Sequence, residues 1–267
     1  MTASYHTHVA AHGLPAMVEA AGACGLAVLG ISEHLFQLQQ GRPLFRDAPL
    51  EGPLLDLEDY VAQVRFTALP GLRLRLGLEV DHLPARLDEI RALCAGPPWD
   101  FLLGSVHEVD GRLLRQCHPP DLAAGWRLWR RYAELLGDAV RSGCCDVLAH
   151  PLRLARHVPP PPYLGELVDP VLQAARRAAV AVELNGADLG DRPDLQEDLL
   201  RWCRSAGTRV TLGADAHSPA DISQNFGLAG ELLRRQGFAG LTGFTGRQPV
   251  AEALPPLRGP GGRSRVG

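Results

Sequence analysis

The chain contains no lysine; all 27 of its basic residues are arginine. A Schiff-base lysine and a phosphate-loop lysine are therefore excluded. Asparagine is almost as scarce, with Asn185 and Asn225 the only two. No CxxC pair occurs among the six cysteines Cys24, Cys94, Cys117, Cys144, Cys145 and Cys203. In a chain of this length they read as reduced, mostly buried thiols. No apolar run approaches the roughly 20 residues that span a bilayer. Residues 1–6 lack the charged-then-apolar pattern of a secretory signal, so a cytoplasmic protein with no membrane partner is expected. There is no excess of positive charge either: 27 basic against 30 acidic residues leave a net −3. With no basic field and no clustered aromatics, a nucleic-acid partner is not expected.

What is present is a chain of 267 residues, 46 % hydrophobic, enough for one barrel-sized domain. Short apolar runs at 4–8, 27–32, 74–80, 101–107, 146–150, 180–185 and 209–215 read as strands, with a weaker eighth at 240–244. Helical stretches separate them near 15–24, 57–69, 84–94, 121–142, 164–178, 195–205 and 220–236. Alternating strands and helices imply a parallel sheet. Seven or eight such units suit a closed barrel, with a doubly wound open sheet as the alternative. The reading is α/β, a distorted (β/α)7 TIM-like barrel over residues 1–250, with a disordered tail at 251–267. A long insertion at 36–56 follows the second strand, as lids and binding loops do.

The histidines carry the functional signal, because most of the ten fall in or just past strand C-terminal ends. His6-Thr7-His8 closes the first strand, with His12 shortly after, and Glu33-His34 closes the second. Glu79 and Asp81-His82 follow on the third, His107 on the fourth and His150 on the fifth. Glu183 and Asn185 end the sixth strand, Asp215 and His217 the seventh. In a parallel barrel these ends share one face, and side chains two apart on a strand point the same way. Imidazoles and carboxylates gathered there are the ligand set for zinc, iron or manganese. A lone histidine at a strand end is more often an ordinary polar residue, and His118 and His157 are set aside as such. Seven strands all ending in such groups are hard to explain by stability, since unpaired charge in a partly desolvated place is costly.

The order His-x-His, Glu-His, Gly77-Leu78-Glu79-Val80-Asp81, Ser105-Val106-His107, Ala149-His150-Pro151, Glu183-Leu184-Asn185 and Gly213-Ala214-Asp215-Ala216-His217 resembles the polymerase and histidinol phosphatase (PHP) family. The resemblance is strongest to its monofunctional histidinol-phosphatases and runs from His6 to about Phe244. Amidohydrolase-type barrels also begin His-x-His, but their carboxylated lysine is impossible here. The resemblance implies three divalent metal ions, zinc, iron or manganese, at the C-terminal ends of the strands. One would take His6, His8, Glu79 and Asp215, and a second His12, His34 and His217. The third would share Glu79 and add His107 and His150. Ser4 stands where relatives often have Asp, and Pro151-Leu152-Arg153 where many have an Asp-containing turn.

The activity so implied is hydrolysis of a small-molecule phosphate monoester, histidinol phosphate, by attack of metal-bound hydroxide, with no side chain as nucleophile. Arginine forks suit the phosphoryl oxygens. Arg42, Arg46, Arg153 and Arg156 are the candidates, although any one of 27 arginines is more often a solvated surface residue. His82 and Asn185 are further candidates for substrate contact. Asp81, Glu108, Asp188 and Asp191 are candidates for the substrate's ammonium group. Two other readings stay open, a phosphoesterase acting on a nucleotide or oligonucleotide end, and a non-catalytic metal-stabilised module. A homo-oligomer is compatible with all three.

Overall fold

A computed structural model describes residues 2–45 and 48–256. Its elements run β1 (Thr2–Ser4), α1 (Leu14–Ala23), β2 (Leu26–His34), α2 (Leu57–Phe66), β3 (Arg73–Asp81), α3 (Leu87–Ala95) and β4 (Phe101–Ser105). A two-rung hairpin, β5 (Glu108–Val109) and β6 (Arg112–Leu113), leads to α4 (Leu122–Arg141) and β7 (Val147–Leu148). Then come α5 (Leu164–Ala178), β8 (Ala181–Asn185), α6 (Gly186–Asp191), α7 (Pro193–Ala206), β9 (Val210–Gly213) and α8 (Phe226–Arg235). The hairpin β10 (Leu241–Thr245) and β11 (Gln248–Glu252) ends the described chain.

Local chemistry sets several helix starts. The Asp56 carboxylate accepts from the backbone N–H of Glu58 at 2.9 Å and of Asp59 at 3.2 Å, capping α2. Asp121 caps α4 in the same way, accepting from Ala124 at 2.7 Å. Both helices begin where the free donors of the first turn meet an acid.

The strands β1-β2-β3-β4-β7-β8-β9 form one sheet, parallel throughout. Its two edges also meet. Tyr5 N–H donates to the Leu212 carbonyl at 3.0 Å, Asp215 N–H to that of His6 at 3.0 Å, and His8 N–H to that of Ala216 at 2.9 Å. The sheet is thus a seven-stranded TIM-like barrel with helices around it.

Inside the barrel, Ala3, Tyr5, Val28, Phe101, Leu103, Val147, Ala149, Ala181 and Phe244 form their own buried cluster. The larger apolar layer lies between strands and helices. Each large side chain buried in it stabilises the fold by roughly 1.5–3 kcal/mol. Gly30 and Gly77 face the Phe101 ring so closely that a Cβ at either would collide with it.

The weak eighth run at 240–244 is not a barrel strand. Among the described residues it pairs only with β11, and the hairpin plugs the opposite end of the barrel from the strand termini that carry the site. Phe244 packs edge-on to Tyr5 at 6.3 Å. Gly246 N–H donates to the Asp100 carboxylate at 3.0 Å, and Arg247 pairs with Asp146 at 2.9 Å. Both acids immediately precede a strand, β4 and β7.

Residues 251–256, assigned to the tail from sequence, are held: β11 includes Ala251 and Glu252, and the buried Pro255 accepts from Arg234 at 2.8 Å. Residues 257–267 lie outside the described residues. The insertion 36–56 is cinched at its neck, where Leu55 N–H donates to Gln37 at 3.0 Å and Gln39 N–H to Leu55 at 2.8 Å. Among the described residues, no helix is long and apolar enough to cross a membrane.

Candidate metal centre

Glu79, near the end of β3, is fully buried, yet both of its carboxylate oxygens are surrounded by imidazole. Its Oε2 lies 2.8 Å from His34 Nδ1, 3.2 Å from His6 Nε2 and 3.5 Å from His8 Nε2. Its Oε1 lies 3.0 Å from His150 Nε2 and 3.4 Å from His107 Nε2. Among the described residues, four sets of side chains each bring their donor atoms within 4.8 Å of one another. They are His6, His8 and Asp215; His6, Glu79 and His150; His34, Asp81 and His107; and His8, His34 and His217.

The strand period builds this convergence. His6 and His8 are two apart, as are Glu79 and Asp81, and Glu183 and Asn185, so each pair points to the barrel mouth. Two of these positions are also conformationally unusual. His150 has φ +27° and Asp215 φ +56°, in the left-handed region that non-glycine residues rarely occupy. Both follow a strand directly or within two residues, where the chain must turn away while its side chain stays over the barrel.

Acids beneath the cluster fix the imidazoles. His6 Nδ1 meets Glu183 at 2.7 Å, and His107 Nδ1 meets Asp81 at 2.6 Å. His8 Nδ1 lies 3.4 Å from Glu33. Glu33 in turn accepts from the N–H groups of Val9 at 2.8 Å, Ala10 at 2.7 Å and His34 at 2.9 Å. Glu183 accepts from His150 N–H at 2.8 Å and from Asn185 Nδ2 at 3.0 Å. These contacts orient each ring and settle which nitrogen faces the centre.

The electrostatics divide the histidines into two kinds. Burial by itself would depress His6, but Glu183, Asp215 and Glu79 outweigh it and raise its pKa well above the usual value. Burial likewise opposes His8, which the nearby carboxylates of Asp215 and Glu33 push up to about 10. His107 is raised by Asp81 and Glu79 against burial. For His34 and His150 burial prevails, with Arg153 also opposing charge at His150, and both are lowered. Burial would raise Glu79 and Asp215. The imidazoles around Glu79, and Arg153 and His6 beside Asp215, hold both well below the carboxylate range.

A cavity of about 780 Å³ opens above the cluster. Arg153, Arg156 and His157 stand on one part of its wall, and Phe36, Phe45 and Glu51 from the insertion on another. Arg153 bonds Asp215 through Nη2 and lies 3.0 Å from Asp188 through Nε. Arg156 reaches Asp188 and Asp191, each at 2.9 Å. Asn185 sits below the cavity floor, donating to Glu183 and, at 3.3 Å, to Asp215, while its own oxygen caps α6.

Three expected positions are not brought here. His12 is exposed in the turn before α1 and belongs to none of the four sets, so His34 and His217 are joined by His8 instead. His82 follows Asp81 by one residue, and its side chain therefore points to the other face of β3. It lies against Leu87, Ile90, Ala139 and Cys145, away from the cavity. Arg42 turns back on its own loop and donates to the Ala48 carbonyl at 2.8 Å; it does not line the cavity. Arg46 lies outside the described residues. Conversely, Glu33 and Glu183, noted only as strand-end carboxylates, orient the ligand rings, and Glu51 belongs to the site without having been singled out. Glu183 was visible at a strand end, whereas Glu51 sits in a loop with no periodicity to reveal it.

No family model matches the chain. It is 28 % identical over 252 residues to a Deinococcus radiodurans protein named "Probable histidinol-phosphatase", covering 87 % of this chain and 92 % of that one. Over 143 residues it is 27 % identical to a "Probable phosphatase" of Photobacterium profundum, covering 52 % of this chain and 49 % of the other. Among solved structures it superposes on histidinol phosphate phosphatase from Lactococcus lactis, crystallised with zinc, L-histidinol and phosphate. The TM-score is 0.73 at 23 % identity, covering 93 % of this chain and 98 % of that one. The chain thus resembles the histidinol-phosphatases over nearly its whole length, and the structural likeness is one of fold.

Proposed function

We propose that this chain is a metal-dependent phosphomonoesterase that hydrolyses histidinol phosphate to histidinol and phosphate. The observation that carries the reading is Glu79, a fully buried carboxylate whose two oxygens each face histidines from different strands. The resemblance to proteins named histidinol-phosphatase supplies the substrate.

The donor set fits divalent ions. Among the described residues His150 Nδ1 and one oxygen of Asp81 are buried without a hydrogen-bond partner, and the ring nitrogens of His8 face only carboxylates at 3.4–3.5 Å. Leaving such atoms unpaired is costly unless something else engages them. His6, His8, Glu79, Asp215, His34, His217, His107 and His150 would hold the ions, which we take to be three. Zinc suits these donors, as do iron and manganese. Such ions supply an acidified water and polarise a phosphoryl group.

The chain's own residues do the rest. Arg153 and Arg156, set by Asp188 and Asp215, present guanidinium groups to the cavity, where a planar fork can take two phosphoryl oxygens. Phe36, Phe45 and Leu114 give the cavity an apolar wall suited to an imidazole ring. Glu108 of β5 lines the same cavity and brings a carboxylate to the substrate's ammonium group.

Initial rates on histidinol phosphate, AMP and a single-stranded oligonucleotide test the proposal. Histidinol phosphate should give the highest kcat/KM, with turnover abolished by a chelator and restored by added zinc or manganese. Equal or better turnover of AMP or the oligonucleotide would overturn the substrate; turnover by chelated protein would overturn the metal.

A further inference from the structure

Three of the four ligand sets contain a carboxylate of their own, but His8, His34 and His217 form a set of imidazoles alone. Beside the His217 member of that set stands Glu51, whose Oε1 lies 3.1 Å from His217 Nε2. His217 Nδ1 lies 3.1 Å from the Asp215 carbonyl oxygen, a contact that requires the proton on Nδ1. Nε2 is therefore the nitrogen with a lone pair to give, and Glu51 lies beside it. Nitrogen and oxygen donors bound to one divalent ion at about 2.0–2.2 Å lie roughly 3.0–3.6 Å apart, from octahedral to tetrahedral angles, and these two atoms fall in that range.

The position of Glu51 is built rather than incidental. Gln37 is fully buried, and its side-chain amide is spent on the backbone around Glu51. Its Oε1 accepts from Glu51 N–H at 3.1 Å, and its Nε2 donates to the carbonyls of Gly52 at 3.1 Å and Pro53 at 2.9 Å. Gly52 packs so closely on the Ala10 carbonyl that a Cβ would collide with it. The insertion is thus clamped at the residue that reaches the histidines, and Glu51 is only 29 % exposed on the cavity wall.

We infer that Glu51 is a metal ligand, supplied by the insertion to the ion held by His8, His34 and His217, with Gln37 as its positioning residue. The inference rests on the metal-centre reading above. It makes the 36–56 insertion part of the metal site as well as the cavity wall.

The test uses the full-length protein, stripped and reloaded with Zn²⁺, then challenged with a chromogenic chelator. Wild type and Glu51→Gln are compared for zinc content and for the affinity of each equivalent. Circular dichroism and thermal unfolding of the metal-free proteins check the fold. Glu51→Gln should weaken one equivalent by 10-fold or more and leave the others unchanged. Gln37→Leu should weaken the same equivalent. Unchanged affinity for every equivalent in a folded Glu51→Gln would overturn the inference while leaving the metal centre standing. A wild-type protein that bound no zinc would overturn both.

Discussion

Glu79 occupies a place that stability alone does not explain, since a buried carboxylate ringed by imidazoles is held only while those imidazoles carry protons or metal. Glu79→Gln keeps the shape and removes the charge. It should lower metal content and reduce kcat/KM by more than about 100-fold with secondary structure intact, as elemental analysis, kinetics and circular dichroism would report. Glu33 serves differently, because its oxygens accept from three backbone N–H groups as well as facing His8. In Glu33→Gln an amide N–H would oppose backbone donors, and denaturant unfolding should show a loss of about 3 kcal/mol. An unchanged midpoint would contradict that role. At this scale the sequence was legible wherever alternation applied. It placed His6, His8, Glu79 and Asp215 on one face, and it also held the answer for His82, one residue out of step with Asp81. Glu51 and Arg42 belong to a loop whose contacts are tertiary, and no local pattern announces them.

Among the elements, the barrel depends on small residues opposite large ones. Gly77 of β3 gives up its side-chain volume to the Phe101 ring from β4. Gly77→Ala should therefore lower stability by about 1–3 kcal/mol, measured by denaturant unfolding, with a smaller effect on activity than any ligand substitution. Stability equal to wild type would show that the ring has room to move. Strand order and helix positions followed from the alternation of apolar runs, because parallel strands connected by helices admit few topologies. The weaker eighth run is a strand, as its composition suggested, but one that stands outside the seven-stranded barrel for a physical reason. Gly246 and Arg247, both at positive φ, turn it into a hairpin that closes the barrel floor. The left-handed conformations of His150 and Asp215 likewise come from tertiary demand at the strand ends, which residue type does not disclose.

For the whole molecule, metal and proton compete for one buried cluster. In the metal-free protein His8, with its pKa pushed up to about 10, is protonated at neutral pH, and His6 is raised in the same direction. Metal requires the neutral ring, so loading at pH 7 should release protons, and affinity should rise with pH. Calorimetric titration in buffers of different ionisation enthalpy measures this; no proton release would contradict the raised values. The same groups shape the stability of the metal-free fold. The His8 contribution is present below its ordinary 6.5 and lost as pH rises through about 10. That of Glu33, held down to about 2, is present above its ordinary 4.5 and lost as pH falls through about 2. The most direct test of the account is anomalous scattering from crystals of the zinc-loaded protein. It should show metal peaks on both oxygens of Glu79, bounded by His6, His8, His34, His107, His150 and Asp215. Crystals whose anomalous peaks lay elsewhere, with Glu79 bonded only to protonated imidazoles, would contradict it.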